Sequence, residues 1–182
     1  MSLLNTSDTA FLFIDIQEKL LRAVFNKDIV EKKVEILAKA TNILNLTSLI
    51  TEQYPQGLGQ TIENVKNNLG KNSYYYEKIA FNALEDANLL TKLQALSIKN
   101  IIVAGIETHI CVYQTVEALI EKGFNVTIIK DCCGSRCETE YLSALDLMSK
   151  NGVKIKTTEM VLFELLKTAK HPDFKAIQNL IK

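Results

Sequence analysis

Short apolar runs alternate with longer amphipathic segments along this chain. The runs are Ala10-Phe-Leu-Phe-Ile14, Leu46-Thr-Ser-Leu-Ile50, Asn100-Ile-Ile-Val-Ala104, Asn125-Val-Thr-Ile-Ile129 and Val153-Lys-Ile-Lys156. Each is too short for a stable helix, and most are rich in β-branched or aromatic residues, so each predicts a strand. The run at 100–104 is apolar at successive positions, as a strand covered on both faces should be. A weaker strand is predicted at Tyr74-Tyr-Tyr-Glu77.

The intervening segments carry helical spacing. Val30, Val34, Leu37, Ala38 and Ile43 fall on one side of 30–44. Val112, Thr115, Val116, Leu119 and Ile120 form a stripe along 111–121, and Tyr141, Leu142, Ala144, Leu145 and Met148 another along 138–150. Gly123 and Gly152 follow these two helices as stops. Strand–helix alternation of this kind predicts a mostly parallel sheet between layers of helix. Residues 52–73 interrupt the rhythm. They hold Tyr54-Pro-Gln-Gly-Leu-Gly59 and a polar tract with a short helix near 61–69. Long excursions in compact domains often carry function. The end, 171–182, reads as a capping helix.

Composition narrows the class. The 182 residues include 47% hydrophobic and 23% charged side chains, seven glycines and two prolines. Those proportions exclude a disordered or collagen-like chain and suit one globular domain spanning 1–182. Lys plus Arg equals Asp plus Glu at 21 each, so no basic excess points to nucleic acid. No run of about 18 apolar residues predicts a membrane span. The stretch Met1-Ser-Leu-Leu-Asn-Thr-Ser-Asp8 lacks the basic and apolar regions of a secretory signal. Cys111, Cys132, Cys133 and Cys137 are accordingly expected to be reduced thiols in a cytoplasmic protein. The last three fit no Cys-x-x-Cys pair, so core or loop thiols are expected rather than a zinc site. Tyr74, Tyr75 and Tyr76 read as strand packing rather than a base-stacking platform.

Ligands of an open parallel sheet bind beyond the carboxyl ends of its strands. Asp15-Ile-Gln17 stands after the first strand, and Thr51-Glu-Gln-Tyr54 after the second. Lys78 follows the weak strand, and Gly105-Ile-Glu-Thr-His-Ile-Cys111 the strand at 100–104. Asp15, Lys78 and Cys111 can thus meet at one edge. A cysteine in the first turn of a helix faces aligned N–H groups that favour its thiolate. A carboxylate can take the thiol proton, and an ammonium can hold both anions. The combination suits a thiol nucleophile for acyl transfer. Asp15 could instead cap the next helix, Lys78 could be a surface lysine, and Cys111 a small core residue.

At these residues the chain resembles the isochorismatase-like cysteine hydrolase superfamily. The matching pieces are Phe13-Ile-Asp-Ile-Gln17, Lys78-Ile-Ala-Phe81 and Gly105-Ile-Glu-Thr-His-Ile-Cys-Val112, in the family's order. Thr51-Glu-Gln-Tyr-Pro-Gln-Gly-Leu-Gly59, Ser135-Arg136 and His171-Pro-Asp-Phe-Lys175 are similar to its isochorismatase-domain-containing branch. The resemblance implies a three-layer α-β-α Rossmann-like fold with six parallel strands. It implies Asp15 as general base, Cys111 as nucleophile and Lys78 as the cation between them. It also implies a cis peptide between Ile106 and Glu107, with the N–H groups of Glu107 and Cys111 forming an oxyanion hole. The expected reaction is hydrolysis of a small amide or related carbonyl compound through a thioester, with no cofactor, by a homo-oligomer. A silent member acting as a binding or scaffold protein is the alternative, and a redox role for Cys111 a third.

Nicotinamidases of the superfamily carry an Asp-Trp-His segment of metal ligands where this chain has Glu52-Gln-Tyr54, and the only histidines here are His109 and His171. No metal is therefore expected. Gln53, Tyr54 and Phe81 are candidate pocket residues, Phe81 equally a core residue. Gln17 either orients the loop or Asp15 by a hydrogen bond or lies at the surface. His109 reads as pocket wall or interface, and the Glu107 side chain is expected to face outward.

Overall fold

In the computed structural model, which describes residues 4–182, six strands form one parallel sheet. They are β1 (Thr9–Ile14), β2 (Thr47–Gln53), β3 (Ser73–Lys78), β4 (Asn100–Ile106), β5 (Asn125–Gly134) and β6 (Lys154–Lys156). Their spatial order is β3-β2-β1-β4-β5-β6. The helices between and after them are α1 (Glu18–Arg22), α2 (Lys27–Ile43), α3 (Pro55–Leu58), α4 (Glu63–Lys66), α5 (Ala87–Ala95), α6 (Tyr113–Glu121), α7 (Glu138–Lys150), α8 (Thr158–Leu166) and α9 (Phe174–Ile181). Residues 1–3, the start of the segment read as lacking a secretory signal, lie outside the described residues.

The two faces of the sheet explain the apolar runs. Successive strand side chains point to opposite faces. Phe11, Phe13, Ile50 and Ile102 therefore pack with Val30, Val34 and Leu37 of α2, with Val161, Leu162 and Leu165 of α8, and with Ile177 of α9. Leu12, Ile14, Leu49, Ile101, Val103 and Ile128 pack on the other side with Leu89 and Leu93 of α5, Val116 and Leu119 of α6, and Met148 of α7. This is a three-layer α/β fold. Each fully buried Leu, Ile or Phe contributes roughly 1.5–3 kcal/mol relative to exposure. β1, central in the sheet, is buried at every position.

Several elements differ from the pattern reading. β2 continues through Thr51, Glu52 and Gln53, which pair with Tyr76, Glu77 and Lys78 of β3. β5 runs on to Gly134: its register with β4 jumps from Val103↔Ile128 to Gly105↔Cys133, so Lys130 to Cys133 belong to an irregular strand rather than a loop. An irregularity of this type lets a strand resume pairing after extra residues, which an apolar run cannot signal. The helix expected near 61–69 shortens to Glu63–Lys66, and the terminal one begins at Phe174. α5 and α8 stand outside the pattern reading; α8 is apolar on several sides, so it offers little period to read.

Candidate active site

The strand order reverses between β1 and β4, whose neighbours lead to opposite edges of the sheet. A crevice at such a switch point is where open α/β sheets hold ligands. Ile14 pairs with Gly105 there, and the two chains leave the sheet side by side. The approach demands glycine: a Cβ on Gly105 would lie 2.5 Å from the Ile14 carbonyl oxygen and 2.7 Å from its Cβ. Asp15 follows from β1, and the turn bearing Cys111 follows from β4.

Asp15 is held in the left-handed region at φ 52°, a conformation that Asp tolerates better than most residues. Thr51 fixes it twice. The Asp15 N–H donates to the Thr51 carbonyl at 3.0 Å, and the Thr51 hydroxyl donates to Asp15 Oδ1 at 2.7 Å. Asp15 does not cap α1, whose N-cap is Gln17. Thr51 is a site residue that the sequence reading placed after a strand without giving it a role. Its signal was its place one residue beyond an apolar run, in register with Ile14.

Lys78 ends β3, and its side chain crosses the end of β2 to reach Asp15. Nζ donates to Asp15 Oδ2 at 2.7 Å, to Gln53 Oε1 at 2.6 Å and to the Ala80 carbonyl at 3.2 Å. An ammonium has three protons, and here each has an acceptor. The pair is dry, with Asp15 at 0% and Lys78 at 7% exposure. Gln17 is fully buried, which removes the surface reading. Its side-chain oxygen accepts from the Gln53 N–H at 2.8 Å, and its amide nitrogen donates to the carbonyls of Gln53, at 3.0 Å, and of Gly59. Its link to Asp15 is through the backbone, Gln17 N–H to Asp15 carbonyl at 2.8 Å. Gln17 therefore clamps the excursion after β2, and Glu52 clamps it again by accepting from the N–H and hydroxyl of Thr61 at 2.7 and 2.8 Å.

Cys111 sits in a π-turn, Thr108–Val112, closed by the Val112 N–H donating to the Glu107 carbonyl at 3.2 Å. Such turns recur at functional sites because they shift the side-chain phase of a helix. The Ile106–Glu107 peptide that leads into it is cis. The Cys111 thiol lies against both Asp15 and Lys78, whose charges act on it, and is only 6% exposed. Burial first, then the Asp15 carboxylate, push the thiol up to about 12, while the Lys78 ammonium pulls the other way. Loss of solvent and a facing anion thus work against the bias of a helix start toward a thiolate.

The remaining candidates divide. Tyr54, at φ 37° and 51% exposed, precedes α3, and Phe81 is equally exposed, which excludes it from the core. Tyr54 meets Lys78 through the backbone, its N–H donating to the Lys78 carbonyl at 2.9 Å, and neither side chain is among the hydrogen-bonded partners of Asp15, Lys78 or Cys111. His109 points to Ser135, Nδ1 to Oγ 3.0 Å, and faces a shallow cavity with Tyr113, Ser143 and Leu147 between the π-turn and α7. The Glu107 side chain is not turned outward; it is 14% exposed and paired with Arg136 at 2.8 Å. Cys132 and Cys133 are buried in β5, and Cys137 is exposed before α7. Among the described residues no group of three or more His, Cys, Asp or Glu side chains is placed to hold a metal ion, and no helix is long and apolar enough to cross a membrane.

Comparison with known proteins decides the kinship. The Isochorismatase domain family model matches residues 9–160, from β1 into α8 and across Asp15, Lys78 and Cys111. The chain belongs to the isochorismatase family. Isochorismatase domain-containing protein 2 of Danio rerio is 35% identical over 179 residues, covering 98% of this chain and 89% of that one. Among solved structures, the MAR1 ribonuclease of Caenorhabditis elegans aligns with a TM-score of 0.93 at 32% identity, over 99% of this chain and 92% of that one. The YcaC gene product of Escherichia coli, an octameric hydrolase of unknown specificity, aligns with a TM-score of 0.87 at 26% identity, over 98% and 94%. Isochorismatase family membership supports a hydrolase, and the six-stranded three-layer architecture is the family's own.

Proposed function

We propose that this chain is a cysteine hydrolase that cleaves a small amide or related carbonyl compound through a thioester, with Asp15, Lys78 and Cys111 as its reacting group. The observation that carries the reading is the contact of one dry thiol with both a carboxylate and an ammonium at the switch point of the sheet. In the first half-reaction Asp15 takes the Cys111 proton as sulfur attacks the carbonyl carbon. The proton moves only as the new bond forms, because the resting thiol holds it firmly. The oxyanion faces the N–H groups of Glu107 and Cys111 at the start of the helix, where N–H groups lack partners one turn back. Asp15 then protonates the leaving amine, and the carbon–nitrogen bond breaks. In the second half Asp15 takes a proton from water, hydroxide adds to the thioester, and Cys111 leaves with the returned proton.

Lys78 holds the carboxylate in place. Its protons are all engaged with acceptors, so it acts as a fixed charge rather than a proton carrier. The same ammonium occupies Asp15 Oδ2, and Thr51 occupies Oδ1, so the donor set favours proton transfer over binding of a cation. The octameric relative supports a homo-oligomer, and the balanced charge and buried triad favour a small substrate over a nucleic acid.

The test is a panel of small primary amides, with a short RNA beside it because one relative is named a ribonuclease. Turnover of an amide, capture of an acyl adduct on Cys111 by mass spectrometry, and its loss in Cys111→Ser are expected. RNA cleavage that survives Cys111→Ser, or amide turnover unchanged by Asp15→Asn, would overturn the assignment. A protein inert to the whole panel, with Cys111 unmodified by any activated acyl compound, would favour the scaffold reading.

A further inference from the structure

The Gln53 side chain lies between the excursion after β2 and the charged pair, and its amide cannot be turned round. Its Nε2 donates to the Ile79 carbonyl at 2.6 Å while its Oε1 accepts from Lys78 Nζ at 2.6 Å. Flipping the amide would set oxygen against carbonyl and NH₂ against ammonium. The Gln53 backbone is fixed in turn by Gln17, which engages both its N–H and its carbonyl. Gln17 is fully buried and reaches Gly59 as well, so one side chain ties the beginning and end of the Tyr54–Gly59 turn together.

We infer that Gln53 is a positioning residue: it orients the Lys78 ammonium toward Asp15 and Cys111, and so couples the seating of the 54–62 excursion to the proton shared by the catalytic pair. The inference rests on the triad reading above and adds a residue for which the sequence suggested only pocket lining. Lys78 leaves the last residue of an edge strand on a flexible four-carbon stem. Without Gln53 it would keep the Ala80 carbonyl and the carboxylate, but nothing would hold it from the β2 side. A cation that wanders weakens its field at the sulfur, and proton loss from the Cys111 thiol then moves to higher pH. The excursion gains leverage by the same route. A substrate that presses on Tyr54–Gly59 acts on Gln17, then on Gln53, then on Lys78.

The experiment follows alkylation of Cys111 by iodoacetamide across pH, read at the Cys111 peptide by mass spectrometry, so it needs no identified substrate. Lys78→Met is expected to move the rising limb of the profile upward by about one unit or more, which is a tenfold slower labelling at fixed pH. Gln53→Met is expected to move the limb the same way by about half a unit, roughly threefold in rate. In a Lys78→Met background the Gln53 substitution should then have no further effect, because it acts through the absent ammonium. Gln53→Glu serves if the methionine variant does not fold. Its carboxylate draws the ammonium from Asp15 and cancels its field, so the limb again moves upward. If Lys78→Met shifts the limb and neither Gln53 variant does, the positioning role is overturned while the triad stands. If Lys78→Met leaves the limb in place, the triad reading and the role of Gln53 fall together. A Gln53 effect that persists undiminished in the Lys78→Met background also overturns it, as a merely structural contribution.

Discussion

Removing the ammonium from the buried pair tests the electrostatic core of the site most directly. Lys78→Met keeps the length of the side chain and much of its volume, so the lost packing is small. The electrostatic loss is not. Asp15 has no exposed surface, and its carboxylate would keep the Thr51 hydroxyl as its remaining side-chain donor in the charged state. Gln53 Oε1 and the Ala80 carbonyl would each lose a donor as well. Stranding one member of a desolvated pair costs about 3–5 kcal/mol, far more than an exposed ion pair contributes. Urea unfolding at matched protein concentration, at about pH 7.5, would read the loss. The double variant Asp15→Asn, Lys78→Met should regain most of the loss, because it leaves no buried charge. A single-variant loss below about 1 kcal/mol, or a double variant no more stable than the single one, would refute the picture of a dry pair.

Three further outcomes are expected. Burial holds Cys133 up to about 12 and Cys132 well above its ordinary range, as with Cys111, whereas the unfolded chain ionises its thiols near their ordinary ~9; the folded state keeps protons that the unfolded state releases, so stability should fall as pH climbs past that value, and a flat unfolding free energy from about pH 8 to 10.5 would contradict it. Glu52→Met removes the oxygen that accepts both Thr61 bonds, and hydrogen exchange of the Thr61 amide should quicken by roughly tenfold or more, as loss of a bond to a charged group worth about 1.5–3 kcal/mol implies; unchanged protection there would show that the excursion is held by something else. Gly105→Ala should fail to yield folded protein because its Cβ meets the Ile14 backbone, whereas Gly123→Ala, at φ 84° with open space around it, should cost only about 1 kcal/mol in thermal unfolding; equal costs at the two positions would be the wrong result.

The succession of strands and main helices along the chain was legible because burial imposes a period. β4 is apolar at consecutive positions because helices cover both its faces, and 138–150 repeats its apolar stripe because one side of α7 meets the sheet. The meeting of Asp15, Lys78 and Cys111 was legible for a different reason. They stand at or beyond strand ends, and topology sends parallel strand ends to one edge. Their resemblance to a family pattern then supplied the pairing that spacing alone leaves open.

What holds those residues could not be read along the chain. Thr51 meets Asp15 across 36 positions, Gln53 meets Lys78 across 25, and Lys78 meets Asp15 across 63. Each is a polar residue in a stretch that reads as an ordinary loop, and its partner is chosen by strand register. The charge state of Cys111 was likewise decided by the fold: a helix start favours an anion, but only the packed structure removes the solvent and sets a carboxylate against the sulfur. Local pattern determined where the strands and helices form and which side chains leave at one edge. Tertiary contact alone decided which of them touch and which protons they keep, because desolvation and hydrogen-bond geometry exist only once distant segments are brought together.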